Sequence, residues 1–456
     1  MTAELLSRIQ FAFTMSFHIL FPAFSIGLAT FLAIMEACWL KTKNPLYLNI
    51  CKFWTKIFAL TFGMGIISGI VMEFQLGTNW AHFTAKVGPV LGSLFVYEVM
   101  TAFFIEAGFL GVMIFGWNKV GPKLHYAATL LVAIGVTISA FWILSANSWM
   151  QTPAGATIIN GSFQVTDWTK VIFNPLFLPS FFHMLLASYL TTLFVIAGLS
   201  AFYLRKNIHL HFAKKCFSFA MWGILILIPL QIWVGDEAGL KVHEYQPMKT
   251  AAIEGLWQTQ KGAPFLIFAL PSPAAQKNEF SIGVPHLASL INTHEWNGEI
   301  QGLSTVPRAD QPYVPVVFFT FRIMVGAGVL MFFIGGIGLW LRLKKRLYKT
   351  NWFLTLCTLS SPIGFIAILT GWFTTEVGRQ PWIVNQLIRT KDAISPITNT
   401  EVAVSFILLA IIYGIIFGVF YFRYLGRVIH AGPAAHANKK EGDQPFSYMP
   451  VLEDKK

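Results

Sequence analysis

The sequence predicts an all-α, polytopic membrane protein with nine transmembrane helices, its N-terminus outside and its C-terminus in the cytoplasm. Three observations predict it. Of 456 residues, 55% are hydrophobic and only 12% charged, with a mean hydropathy of +0.60. A soluble chain carries roughly 25% charged residues. Nine apolar runs each approach the ~20 residues needed to cross a hydrocarbon core. Lysine and arginine alternate between the loops that join them, as topology signals do.

The runs cover 11–39, 53–76, 91–116, 124–146, 179–204, 216–234, 314–341, 352–374 and 402–425. The first is too long for the apolar core of a signal peptide and reads as a retained helix. Loops 40–52, 117–123, 205–215 and 342–351 hold fourteen Lys and Arg, whereas loops 77–90, 147–178 and 375–401 hold five. The richer set is assigned to the cytoplasm. With an odd number of spans, this places the N-terminus outside and the basic tail inside. The chain then divides into helices 1–6 over 1–234, an extracytoplasmic segment 235–314, helices 7–9 over 315–425 and a cytoplasmic tail 426–456.

Segment 235–314 is rich in Pro, Gly, Gln and acids and contains no apolar span. Loops of that length are usually functional or disordered. It opens with GDEAG at 235–239, directly at the end of the sixth run, which argues for order in that part. The formal charge of +12 does not indicate nucleic acid, because the basic residues lie in short loops between apolar runs. Cys38, Cys51, Cys216 and Cys357 form neither a CxxC nor a CxxCH pattern. They read as free buried thiols, so any haem is held non-covalently.

Ionisable and ligating side chains inside apolar runs are costly and mark function. His18 lies seven residues into its run, His183 four and Met324 ten, while Glu376 follows the eighth run at its outer end. At about 1.5 Å per residue, all four fall in the outer half of the bilayer. Histidine and methionine are haem-type axial ligands, and a carboxylate suits high-spin iron or proton handling. Alone, each is an ordinary packing residue; agreement in depth on four segments favours redox chemistry.

Glu98 and Glu106 share one run, about 12 Å apart in depth and about 80° apart around an α-helix. They suit a polar seam leading inward. Glu73, near the outer end of its run, fits a helix-end role as well as a catalytic one. Arg322 and Arg379 need anionic partners, for which haem propionates and Glu side chains both serve. Arg8 suits a propionate or an interfacial anchor. In the outer segment, Lys249 and Glu254 in KTAAIEGLW (249–257) form an acid and an ammonium suited to binding and deprotonating a quinol hydroxyl.

Several stretches together resemble subunit I of the cytochrome bd-type quinol oxidases, including the cyanide-insensitive branch. They are LSRIQFAFTMSFH (6–18), MEFQLGTNW (72–80), AFFIEAG (102–108), ANSWMQTP (146–153), GDEAG (235–239), KTAAIE (249–254), FRIMVGAG (321–328) and GWFTTEVGRQPW (371–382). The resemblance covers nearly the whole chain to the ninth run. It implies a respiratory-chain oxidoreductase of the bacterial inner membrane that oxidises ubiquinol or menaquinol outside. Oxygen would be reduced to water with cytoplasmic protons, generating proton motive force without a pump.

The resemblance also implies three haems without copper. His183 and Met324 would ligate a low-spin haem b. His18 and Glu376 would ligate a high-spin pair, a haem b and either a haem d or a b-type haem in its place. Glu98 and Glu106 would serve that pair and its protons, Lys249 and Glu254 would contact quinol, and Arg322 and Arg379 would balance propionate charge. The implied partners are subunit II, a small single-helix subunit, quinol, O2 and membrane lipid, with no nucleic acid. The outer segment is similar to the short version of the family's quinol loop, so the resemblance speaks for KTAAIE and not for the far half. A proton-coupled transporter would account for the intramembrane acids, but not for His and Met at one depth.

Overall fold

The architecture is that of a computed structural model, which describes residues 2–433. The part of the expected tail from 434 onward lies outside the described residues. Nine helices among those residues are long and apolar enough to cross a membrane. Span 1 is Ala3–Thr42, span 2 Pro45–Thr78, span 3 Ala81–Phe115, span 4 Pro122–Gln151, span 5 Phe177–Arg205, span 6 Leu210–Tyr245, span 7 Val314–Leu343, span 8 Asn351–Arg379 and span 9 Asn399–Ala431. Three of their starts carry side-chain caps. Thr2 accepts from the Leu5 N–H, Asn44 from Leu46 ahead of Pro45, and Thr398 with Glu401 forms a capping box.

The helices outrun the apolar stretches, because backbone hydrogen bonding and hydrocarbon thickness are separate limits. Span 6 continues from the end of its run at 234 to Tyr245, so GDEAG, expected at a helix end, lies within the helix. Span 3 contains a π turn, Val99–Phe103, between Glu98 and Glu106. Span 8 breaks between Leu359 and Ile363 at Ser360, Ser361 and Pro362. Proline has no N–H to donate and disfavours helical geometry in the residue before it.

Spans 1 and 5 are the most enclosed of the nine. Lipid tails offer no hydrophobic incentive for helices to associate, so close approach through small residues does that work. Gly27 on span 1 abuts Ser188 and Thr192 of span 5, Gly364 of span 8 abuts Thr191, and Gly198 of span 5 abuts Ser361. Spans 3 and 9 instead present exposed apolar residues such as Met100, Phe104, Ile411 and Ile415.

The segment after span 6 is folded. It carries a first loop helix, Pro247–Glu254, and an antiparallel hairpin of Phe265–Ser272 with Lys277–Val284. A second loop helix follows, Leu287–Thr293. Ala251, Ala252, Trp257, Leu266, Ala269 and Leu303 pack on Val314, Val317 and Phe318 at the start of span 7. This anchors the segment to the end of the bundle that the charge asymmetry assigns to the outside. Because Gly364 has no room for a side chain, Gly364→Leu should destabilise the bundle by about 1–3 kcal/mol or more. Thermal unfolding in detergent checks it.

Candidate functional site

His18 projects from span 1 toward span 2, where Ser68 Oγ lies 3.0 Å from its Nδ1. That contact occupies one ring nitrogen and leaves Nε2 to act as a metal ligand, the arrangement by which a neighbouring group sets a ligand's tautomer. The next residue, Gly69, lies so close that a Cβ there would sit 3.3 Å from His18 Cε1. The same device recurs twice. A Cβ on Gly235 of span 6 would sit 3.2 Å from His183 Cε1, and one on Gly371 of span 8 would sit 2.8 Å from Met324 Sδ. Gln231 Nε2 lies 3.2 and 3.3 Å from the two His183 ring nitrogens.

Packing joins the segments that carry these residues. Met15, Ile19 and Ala23 of span 1 share one cluster with Met184 and Ala187 of span 5 and with Ile368 and Trp372 of span 8. Gly371, in that same turn of span 8, is the residue that meets Met324. His18, His183 and Met324 therefore belong to one layer of the bundle.

Glu376 lies just above this layer. Its Oε2 accepts from Arg379 Nη2 at 2.5 Å, and its Oε1 from Asn147 Nδ2 at 2.9 Å and Gln151 Nε2 at 3.4 Å. Gln151 Oε1 in turn accepts from Lys249 Nζ at 2.6 Å and Gln246 Nε2 at 3.0 Å. Arg379 is buried, and its Nε and Nη1 have no hydrogen-bond partner among the described residues. A buried guanidinium with two spare donors suits an anionic group such as a haem propionate. Together with the side-chain-free surfaces beside both histidines and the methionine, the donor set fits haem.

Lys249 and Glu254, expected to act as one acid–base pair, are held in separate networks. Glu254 Oε1 accepts from Asn292 Nδ2 at 2.9 Å, and its Oε2 lies 3.4 Å from Arg322 Nη2. Arg322 also donates to the Ile253 and Leu266 carbonyls and stacks 3.7 Å from the Phe318 ring centre. Lys249 faces Gln151 and Glu376 instead. The spacing of five on a helix is the cause, since it places the two on neighbouring faces. Burial pulls the Lys249 ammonium down to about 7, with Glu376 opposing and Arg379 assisting. Burial pushes the Glu254 carboxyl up, against the pull of Arg322 and Asn292.

Glu98 accepts from Ser139 Oγ of span 4 at 2.6 Å, and a Cβ on Gly135, one turn along span 4, would lie 2.7 Å from Glu106 Cγ. Both acids thus face span 4. The π turn explains the alignment: it takes up about one extra residue, which cuts the helical offset from about 80° to roughly 20°. Arg8 pairs with Glu4 at 3.8 Å on a partly exposed turn, and Glu73 is exposed. Neither joins the networks above. Ser68, Asn147, Gln151, Asn292 and Ser139 went unmarked in the sequence, though ANSWMQTP carried two of them as a motif.

A bundle with nine candidate spans among the described residues, two histidines and a methionine each packed against a glycine, and a carboxylate–arginine pair nearby, is that of an integral membrane protein whose donor set fits haem. The family model for cytochrome bd terminal oxidase subunit I matches residues 6–433, and the chain belongs to that family. It is 37% identical, over all of this chain and 98% of the relative, to the cytochrome bd ubiquinol oxidase subunit 1 of Bacillus subtilis (strain 168). It is 32% identical, over 90% and 93%, to the cytochrome bd-II ubiquinol oxidase subunit 1 of Escherichia coli (strain K12). The bd oxidase structure from Geobacillus thermodenitrificans superposes with a TM-score of 0.87 at 29% identity, covering 94% of this chain and 98% of that one. The protein is a multi-pass bacterial membrane protein, and both the all-α fold and the resemblance read from its motifs hold.

Gln151 satisfies a buried ammonium, so its loss leaves Lys249 without that acceptor. Gln151→Leu should cost about 1–3 kcal/mol, and adding Lys249→Met should recover part of it. Thermal unfolding of the single and double variants checks the coupling.

Proposed function

We propose that the chain is the haem-carrying subunit of a terminal quinol oxidase, with the ligand and proton roles that its geometry supports. The observation that carries the proposal is the single layer of His18, His183 and Met324, each against a glycine, within a chain of the bd oxidase family. His183 and Met324 would hold a low-spin haem b. His18 and Glu376 would hold the high-spin pair, a haem b and a haem d or its b-type replacement. When bound, the haems supply electron transfer from quinol and the reduction of O2 to water.

The protein groups set binding and proton traffic. Arg379 keeps two donors for a propionate while it holds Glu376. Arg322 is committed to Glu254 and two carbonyls, so its part is to place Glu254 rather than to bind a propionate directly. Glu254 and Lys249, under the folded outer segment, serve ubiquinol or menaquinol. Glu106 and Glu98, along one face of span 3 against span 4, carry protons from the cytoplasmic side. Protons released outside and consumed from inside separate charge without a pump. Subunit II completes the oxidase, and the exposed apolar faces of spans 3 and 9 suit it, a small single-helix subunit or lipid.

A reduced-minus-oxidised absorption spectrum of the purified oxidase, with quinol-driven oxygen uptake, tests the proposal; a protein without haem bands overturns it. Met324→Leu should abolish the low-spin signature or lower its potential, because thioether ligation raises potential. Gly371→Ala should move the spectrum the same way by crowding Met324, and redox titration reads both. Ser68→Ala should weaken haem retention at His18 by about 10–100-fold.

Alanine at Lys249 or Glu254 should depress quinol oxidation while the haem spectra persist. Glu106→Gln should keep haem content and fast electron input yet slow oxygen reduction by about 10²-fold or more. Normal turnover with normal proton uptake in Glu106→Gln removes Glu106 from the path.

A further inference from the structure

Oxidising a quinol releases two protons with its two electrons, so its site needs an acceptor for each hydroxyl and an exit to water. Glu254 is 1% exposed and enclosed by Arg322 and Asn292. It can take one proton but does not itself reach the outer water. Lys249, 3% exposed, is turned into the Gln151–Glu376 network. The acid and the ammonium therefore do not make a two-proton device between them.

A third titratable group stands at the same place. The second loop helix, Leu287–Thr293, ends at His294, whose left-handed backbone (φ 56°) turns the chain. His294 Nε2 lies 3.0 Å from Asp236 Oδ2 on span 6. Two residues earlier, Asn292 Nδ2 donates to Glu254 Oε1. One helix end thus touches both acids, Glu254 through Asn292 and Asp236 through His294. Asp236 directly follows Gly235, the residue against the His183 ring. The pair therefore lies beside the region assigned to the first electron acceptor. It is also open to water: the His294 side chain is 57% exposed and that of Asp236 34%.

We infer that His294, oriented by Asp236, is a catalytic base that accepts a hydroxyl proton from a membrane-borne hydroquinone and passes it to the outer water. This rests on the outer-face quinol site proposed above. With Nε2–H donated to the Asp236 carboxylate, Nδ1 is the basic nitrogen. The quinol O–H bond breaks and an N–H bond forms at Nδ1. The second O–H bond breaks to Glu254, and two electrons leave one at a time into the oxidase, which delivers them to O2, so that the hydroquinone becomes a quinone. Asp236 orients the ring, and Asn292 is a positioning residue that holds Glu254 for the other proton.

The test uses the intact oxidase complex carrying His294→Ala, His294→Gln or Glu254→Ala, with a short-chain ubiquinol as reductant. His294→Ala should slow quinol-driven haem reduction about tenfold or more, leaving dithionite reduction and haem spectra unchanged. Added imidazole should restore much of the rate. His294→Gln, which keeps a donor for Asp236 but cannot take a proton, should stay slow. Rates within about twofold of the parent in either variant overturn the inference. So does a loss in His294→Ala that imidazole leaves unchanged, because that marks a structural tie. If Glu254→Ala is slow while both His294 variants are normal, only this inference falls; if all three are normal, the outer-face quinol site falls with it.

Discussion

Hydrocarbon cannot solvate a polar group, and that constraint organises the whole molecule. Several polar side chains inside the bundle find a partner on a neighbouring helix. His18 finds Ser68, Glu98 finds Ser139, and Glu376 finds Asn147. Those partners fix rotation about each helix axis more tightly than apolar packing does, because a slip of one residue would strand both groups. The glycines beside His18, His183 and Met324 apply the same logic to space. A ligand can be presented at the layer only where the facing helix gives up its side chain.

The outer end shows how a soluble-like segment is tied to that layer. Buried Lys249 reaches Gln151, and through it Glu376; Glu254 reaches Arg322, two residues before Met324. The first loop helix therefore makes two separate attachments, one toward each half of the candidate site. Their separation follows from the helical offset between positions 249 and 254. Movement of the outer segment would disturb both halves together, giving a mechanical reason for its many contacts with span 7.

Much of this was legible in the sequence. Nine apolar runs, the Lys and Arg alternation and the depths of His18, His183, Met324 and Glu376 come from hydrophobicity and rise per residue alone. What was not legible depends on pairings between distant segments. No local pattern shows that Asn292 meets Glu254 or that Gln151 meets Lys249, since the partners lie 38 and 98 positions apart. The π turn at Val99–Phe103 was equally hidden, because its residues are as apolar as the helix around them. The run boundary at 234 marked where hydrophobicity stops, and span 6 continues because backbone hydrogen bonding does not depend on apolar side chains.

Hydrogen-bond saturation separates the intramembrane acids by role. Glu36, on span 1, accepts from His125 Nδ1 and Thr129 Oγ1 of span 4, each at 2.6 Å, so both of its oxygens are engaged. An acid satisfied in that way ties two helices together. Glu106 is also buried, yet its Oε1 has no hydrogen-bond partner among the described residues, and its neighbour on span 4 is Gly135, which offers no side chain to bind. A carboxyl with spare capacity can gain and lose a proton without breaking structure. That difference favours Glu106 over Glu36 as a proton carrier, although both are buried acids facing span 4.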